Sequence, residues 1–191
     1  MRLLRTVSHA PMLSYPVGTS GQMIILSDHV LEQFDSSRQR KPGLAEAGGQ
    51  LFASLADGHI RIEKATGPRN SDKRGRTHFQ PDRRAEQKEI TTMHASGLHY
   101  VGDWHTHPEP VPTPSATDLR SMRECVSKSR HELNAFIMII VGTDPSPRGL
   151  NVSLHGMSDM VLDAESRTEP VSPPRNWAKT ILRKIRGGRR S

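Results

Sequence analysis

Apolar residues recur along the chain in short runs, and the changes in their period mark the elements. Met23-Ile24-Ile25-Leu26, after Gln22, is a continuous apolar run of strand length. Val30, Leu31 and Phe34 then follow helical spacing behind Ser27 or Asp28, either of which can cap a helix. Gln50 to Leu55 and His59 to Thr66 flank Asp57-Gly58, which predicts a β-hairpin. Asp82 caps a predicted helix from Arg83 to about Ser96 that Gly97 stops, with Ala85, Ile90, Met93 and the nearby Leu98 facing inward. Tyr100 to Trp104 reads as a strand. Leu119, Met122 and Val126 predict a helix from Ser115 to about Ser129, and Ala135–Val141 and Leu150–His155 two further strands. Strands alternating with helices predict an α/β fold.

Elsewhere the period is lost. Residues 1–20 mix Pro, Gly, Ser and scattered hydrophobes and are expected to be flexible; residues 21–158 hold the predicted domain, and the pattern dissolves beyond it. Arg38 to Leu44, with Pro42 and Gly43, reads as a loop. Gly67 to Asp82 is polar, basic and aperiodic, which inside a compact domain marks a functional or disordered segment. Residues 159–191 form a basic tail. Within it Trp177, Ile181, Leu182 and Ile185 share one helical face and Lys179, Arg183 and Arg186 fall largely off it. Such a short amphipathic helix can lie on an acidic partner or on anionic lipid.

Charge sharpens this division. The 27 basic and 20 acidic residues give a net +7, but from Arg167 onward there are eight basic residues against one acid, leaving 19 of each before it. The domain is neutral, which argues against a nucleic-acid role for it. Aromatics make up 4% of the 191 residues, so aliphatics must supply most of the core. The longest apolar run, Ala135–Val141, falls far short of the roughly 20 residues that span a bilayer. A single cysteine, Cys125, and no secretory signal in the first 20 residues point to the cytoplasm.

The chemistry concentrates in Asp103-Trp104-His105-Thr106-His107-Pro108 and Ser115-Ala116-Thr117-Asp118. At i and i+2 on a strand, His105 and His107 present both imidazoles on one face, about 6.5–7 Å apart along the strand. Proline at every second position from Pro108 to Pro114 predicts a stiff extended connector. It returns the chain to a helix on which Ser115 is the N-cap and Asp118 sits in the first turn. Ser-x-x-Asp is by itself a capping-box-like start. Joined to the two histidines, it offers His105, His107 and Asp118 as ligands for a tetrahedral zinc whose fourth position is open to water, the pattern of a catalytic site. Asp103 shares a face with His105 and is either a supporting group or a solvated strand-end carboxylate.

His-x-His-Pro, six residues, then Ser-x-x-Asp resembles the signature of the JAMM (MPN-plus) metallopeptidases. Their catalytic glutamate lies upstream, typically before two glycines, and this chain has Glu46-Ala47-Gly48-Gly49. Further stretches, among them Ala65-Thr66-Gly67-Pro68-Arg69, Phe79-x-Pro81-Asp82 and Ser129-x-His131-Glu132-Leu133, resemble the JAMM isopeptidases of bacterial CBASS antiphage operons. The resemblance implies a JAMM (MPN, cytidine-deaminase-like) fold, a curved mixed β-sheet flanked by helices with zinc at its edge. It implies a deubiquitinase-like protease that cuts the bond between the C-terminus of a CD-NTase, or a ubiquitin-like protein, and its conjugated target. A conjugating-type enzyme encoded beside it would be the opposing partner. The roles implied are Glu46 as general base and Ser115 as oxyanion donor. Glu63 is the rival glutamate, in a strand where a solvent-facing carboxylate is expected. Processing of a sulfur-carrier protein, or a nonenzymatic MPN scaffold, are the alternatives. Lys73, Arg74 and Arg76 either border the substrate channel or belong to a solvated surface loop.

Overall fold

The computed structural model describes residues 12–128, 133–156, 159–162 and 164–167. Eleven strands and three helices follow in chain order: β1 (Met12–Pro16), β2 (Met23–Leu26), α1 (Asp28–Ser37), β3 (Gly48–Ser54), β4 (Ile60–Ala65), β5 (Lys73–Gly75), β6 (His78–Gln80), α2 (Arg83–Ala95), β7 (His99–Thr106), α3 (Ala116–Lys128), β8 (Ala135–Val141), β9 (Leu150–Gly156), β10 (Met160–Leu162) and β11 (Glu165–Arg167). Nine strands make one mixed sheet in the order β10-β9-β8-β7-β3-β4-β2-β1-β11, while β5 and β6 form a separate hairpin. Within the sheet β2 and β4 run parallel, as do β7 and β8. The neighbouring pairs β3–β4 and β3–β7 are antiparallel.

The continuous apolar run of β8 follows from burial on both faces. Ile137, Ile139 and Val141 join the larger core with Phe34 and Trp104, whose ring centroids lie 5.1 Å apart. Phe136, Met138 and Ile140 face the other way, against Met122 of α3, with Leu119 and Val126 packed beside them as their spacing predicts. The caps act as read: Ser27 accepts from the Val30 amide, and Asp82 from the amides of Arg84 and Ala85.

Three expectations are corrected. First, the sheet extends past the predicted 21–158 span: Leu13 and Tyr15 of β1 are buried, and β1 pairs with both β2 and β11. Leu162 of β10 is buried as well. These strands are three to five residues long, too short to impose a readable period. Residues 1–11 and the predicted tail helix lie outside the described residues. Second, the aperiodic segment 67–82 folds into the β5–β6 hairpin. The Asp72 carboxylate binds the amides of Arg69 and Asp82 at 2.6 and 2.9 Å and so closes the base of this arm. Third, α2 half-buries Ala85, Ile90 and Met93, but the side chain it buries fully is Glu86. The acidic side of this helix meets Arg69, which makes a bidentate pair with Glu89 at 2.9 and 2.5 Å and reaches Gln50 Oε1 at 3.3 Å.

Burial, reinforced by the nearby Asp103, pushes the Glu86 carboxyl up to about 7 from its ordinary 4.5, against the pull of Arg83 and Arg69. A carboxyl raised on folding binds extra protons in the native state, so its stabilising contribution is complete below about pH 4.5 and is lost as pH rises through about 7. Glu86→Gln removes that dependence. In urea unfolding, the variant should gain on the wild type between pH 5 and pH 8 by about 1–3 kcal/mol. An equal difference at both pH values contradicts this.

Candidate active site

The site is built on the ladder between β3 and β7, where Gly48 lies opposite His105 and Gly49 opposite Trp104. Farther along, the register slips so that Val101 is an extra residue on β7. This bulge sits beside Gly102, whose φ of +150° and whose approach to Ile137 (1.8 Å from a Cβ placed there to its carbonyl oxygen) exclude a side chain. A bulge shifts the alternation of the strand beyond it. Trp104 thereby remains in the α1-side core while His105 turns to the opposite face.

Close backbone approach also explains the glycine pair. A Cβ on Gly49 would lie 1.8 Å from the Thr66 carbonyl oxygen. One on Gly48 would meet the Phe79 ring and the Trp104 carbonyl, each at 2.8 Å. The Trp104 indole donates to that same Thr66 carbonyl at 2.9 Å, pinning the base of the hairpin arm to the histidine strand.

His105 is the penultimate residue of β7 and His107 directly follows the strand, with the His107 amide bonded to the Val141 carbonyl at 2.9 Å. The connector after Pro108 is carried by the loop between β8 and β9: Thr143 and Asp144 donate their amides to the carbonyls of Glu109 and Pro110 at 2.7 and 3.2 Å. The buried guanidinium of Arg38 holds that loop through the Gly142 carbonyl and the Ser146 hydroxyl, at 2.5 and 3.0 Å. The chain then enters α3 through a reciprocal capping box. Ser115 Oγ accepts the Asp118 amide at 3.2 Å, and the Asp118 carboxylate accepts the Ser115 amide at 2.7 Å. The Ser-x-x-Asp pattern therefore caps the helix and delivers a carboxylate to the histidines together.

The imidazole Nε2 atoms of His105 and His107 are 3.2 Å apart, and each lies 3.4 Å from one oxygen of Asp118. Donors about 2.0–2.1 Å from a tetrahedral zinc are separated by about 3.3 Å. The two imidazole nitrogens stand at about that separation, His105 faces Oδ1 of Asp118 and His107 faces Oδ2, and the three side chains converge closely enough to fit a metal ion. Burial opposes ionisation of Asp118, but hydrogen bonds from the two histidines carry its carboxyl far below the usual range. In return Asp118 and Glu46 raise His107 above its ordinary value, against the burial that lowers it.

Glu46 is buried just before β3. Burial raises its carboxyl while His105 and His107 pull it down, which places it in their field; Asp118 and His78 act on it as well. Its backbone is gripped by the hairpin: the Glu46 amide donates to Gly75 at 2.8 Å and its carbonyl accepts Arg74 Nε at 2.5 Å. Glu63 sits instead in a bulge of β4, exposed, accepting the Ser54 hydroxyl at 3.1 Å. Arg74, a candidate for the substrate channel, is committed to the Glu46 loop. Asp103 accepts the Tyr100 hydroxyl at 2.9 Å. Of the other histidines, buried His59 accepts the Met23 amide and buried His155 contacts Ser153, while His131 lies outside the described residues.

The model of the family described as prokaryotic homologs of the JAB domain matches residues 27–153. The chain belongs to this family. The CD-NTase/cGAS isopeptidase of Enterobacter hormaechei is 36% identical over 126 residues, covering 64% of this chain and 69% of that protein. The protein of the same name from Pseudomonas aeruginosa is 33% identical over 134 residues, covering 69% and 84%. The solution structure of DSY2949 from Desulfitobacterium hafniense matches with a TM-score of 0.53 at 23% identity, over 75% of this chain and 90% of that one, which supports the fold. This JAB-family chain is thus an enzyme of the JAMM metallopeptidase class, as its motifs imply. No helix among the described residues is long and apolar enough to cross a membrane.

Gly49→Ala tests the close approach on which the site rests. It should cost at least about 3 kcal/mol in urea unfolding, since backbone would have to move. Gly43→Ala, where φ is +87° but nothing lies within 4 Å, should cost only about 1 kcal/mol. Equal costs would contradict the close approach at position 49, where the backbone is not left-handed.

Proposed function

We propose that this chain is a zinc-dependent isopeptidase that hydrolyses the amide joining the C-terminus of a CD-NTase, or of a ubiquitin-like protein, to a conjugated target. In this reading it works in the cytoplasm in CBASS antiphage defence and opposes a conjugating-type enzyme encoded beside it. The observation that carries the reading is the convergence of His105, His107 and Asp118, their ligand atoms all within 4.8 Å of one another, with buried Glu46 in their field. The names of the relatives at 36% and 33% identity supply the substrate class.

His105, His107 and Asp118 would hold the ion, and their single negative charge would leave it electrophilic. Zinc, when bound, acidifies a water and polarises the scissile carbonyl. Glu46 takes a proton from the attacking water as its oxygen bonds to the carbonyl carbon. The same carboxyl then delivers that proton to the amine nitrogen as the C–N bond breaks, a role worth about 10²–10⁴ in rate. A carboxyl raised by burial suits both halves of this transfer, since it is neither too weak a base nor too weak an acid. Ser115 Oγ accepts the Asp118 amide, so its hydroxyl proton remains to be donated to the developing oxyanion.

Glu46→Gln should retain one zinc per chain and lose at least about 100-fold in turnover of a CD-NTase conjugate, while His105→Ala loses both metal and turnover. Metal content and turnover measured on the same preparations decide this; an active Glu46→Gln enzyme removes Glu46 from the mechanism. The hairpin also bears on substrate. With Arg74 occupied by the Glu46 loop, Lys73 and Arg76 are the basic side chains left to meet it, and replacing both with Ser should raise KM several-fold at unchanged zinc content. Unchanged kinetics on a full protein conjugate would leave them as solvated surface.

A further inference from the structure

One buried amide joins the three segments on which the site depends. Gln39, just past the C-terminus of α1, is 5% exposed. Its Nε2 donates to the carbonyls of Leu44 and Arg76 at 2.9 and 3.1 Å. Leu44 leads into Glu46, and Arg76 lies in the turn of the hairpin that grips the Glu46 backbone. On its other side, Gln39 Oε1 accepts the hydroxyl of Thr106 at 3.0 Å. Thr106 is fully buried between the two histidines, and its Oγ1 accepts the amide of Ala47 at 3.0 Å. The Thr106 amide in turn donates to the Ala47 carbonyl at 2.8 Å.

The polarity of this network admits one arrangement. Two carbonyls require the NH₂ end of Gln39, so its oxygen must face Thr106. The Ala47 amide occupies a lone pair of Thr106 Oγ1, whose proton therefore goes to Gln39. Both donors of the Gln39 amide and the hydroxyl proton are used, and such a satisfied buried network holds its members in one geometry. It fixes Ala47, adjacent to Glu46, against the residue between His105 and His107. We infer that Gln39 and Thr106 are positioning residues for the reaction: they set where the Glu46 carboxylate stands relative to the histidine pair, without touching the reacting atoms. The inference rests on the function proposed above.

Thr106→Val keeps the shape of the side chain and removes both hydroxyl bonds, whereas Thr106→Ser keeps the hydroxyl. Gln39→Glu keeps size but cannot donate to the two carbonyls, and it carries the same test independently of whether the valine variant folds. Each protein is assayed for zinc per chain, kcat and KM, and for exchange of the Ala47 amide proton by NMR. Thr106→Val and Gln39→Glu should keep full zinc and a KM within about twofold but lose at least about tenfold in kcat, because displacement on the order of 1 Å is costly to catalysis. The Ala47 amide should exchange at least about tenfold faster in Thr106→Val, and Thr106→Ser should restore both properties. Wild-type kcat in both Thr106→Val and Gln39→Glu, or a kcat that falls only in proportion to zinc lost, overturns the positioning role. A wild-type protein that binds no zinc and cleaves no conjugate would instead overturn the proposed function, and the two failures are distinct.

Discussion

The constraint on which the rest of the structure depends is the close approach of two backbones, β3 and β7. Gly48 and Gly49 let the chain before β3 lie against the histidine strand while Thr66, Phe79 and Trp104 crowd the same space. A side chain at either position would separate the segment bearing Glu46 from the one bearing His105 and His107. The bulge at Val101 and Gly102 then aims His105 away from the core in which Trp104 is packed. Ladder, glycines and bulge are properties of backbone, so the site is held mainly by groups that take no part in its chemistry.

Electrostatics add a second layer. Asp118 is held ionised by the two histidines, and Glu46 is raised by burial beside them. Mutual repulsion of the carboxylates and burial of charge oppose this assembly in the absence of a cation. The capping box, the proline connector clamped by the β8–β9 loop, and the hairpin bonds to Glu46 keep it in place. These contacts bring two imidazoles and one carboxylate together, with ligand atoms within 4.8 Å of one another.

Much of the site was legible because its donors are close in sequence. His105, His107 and Asp118 span a strand end, a connector and one helix turn, so local spacing was enough to bring them together. The caps Ser27, Asp82 and Ser115 were legible for the same local reason. Glu46 was reached through resemblance, and its rival Glu63 was set aside because it lies in an alternating strand where a solvent-facing carboxylate is expected. The hairpin was missed because its strands are three residues long and are held by Asp72 and Arg69, not by apolar alternation. The buried acid of α2 was missed because its pairing with Arg83, three residues earlier, has the spacing of an ordinary surface pair on a helix, and its second cation, Arg69, lies in a different segment. Gln39 carries no sequence signal: it follows a helix end in a polar loop, and its importance comes from partners up to 67 positions away. The short strands outside residues 21–158 escaped because their pairing, β1 with β11 above all, is between chain ends.

The central claim is that two imidazoles and one carboxylate hold a zinc ion with a position left for water. Extended X-ray absorption fine structure at the zinc edge of the purified wild-type protein tests it most directly. The account predicts a first shell of nitrogen and oxygen alone at about 2.0–2.1 Å, with multiple-scattering features of two imidazoles and a coordination number of about four. A sulfur scatterer at about 2.3 Å, or a shell of three or four imidazoles, would contradict it.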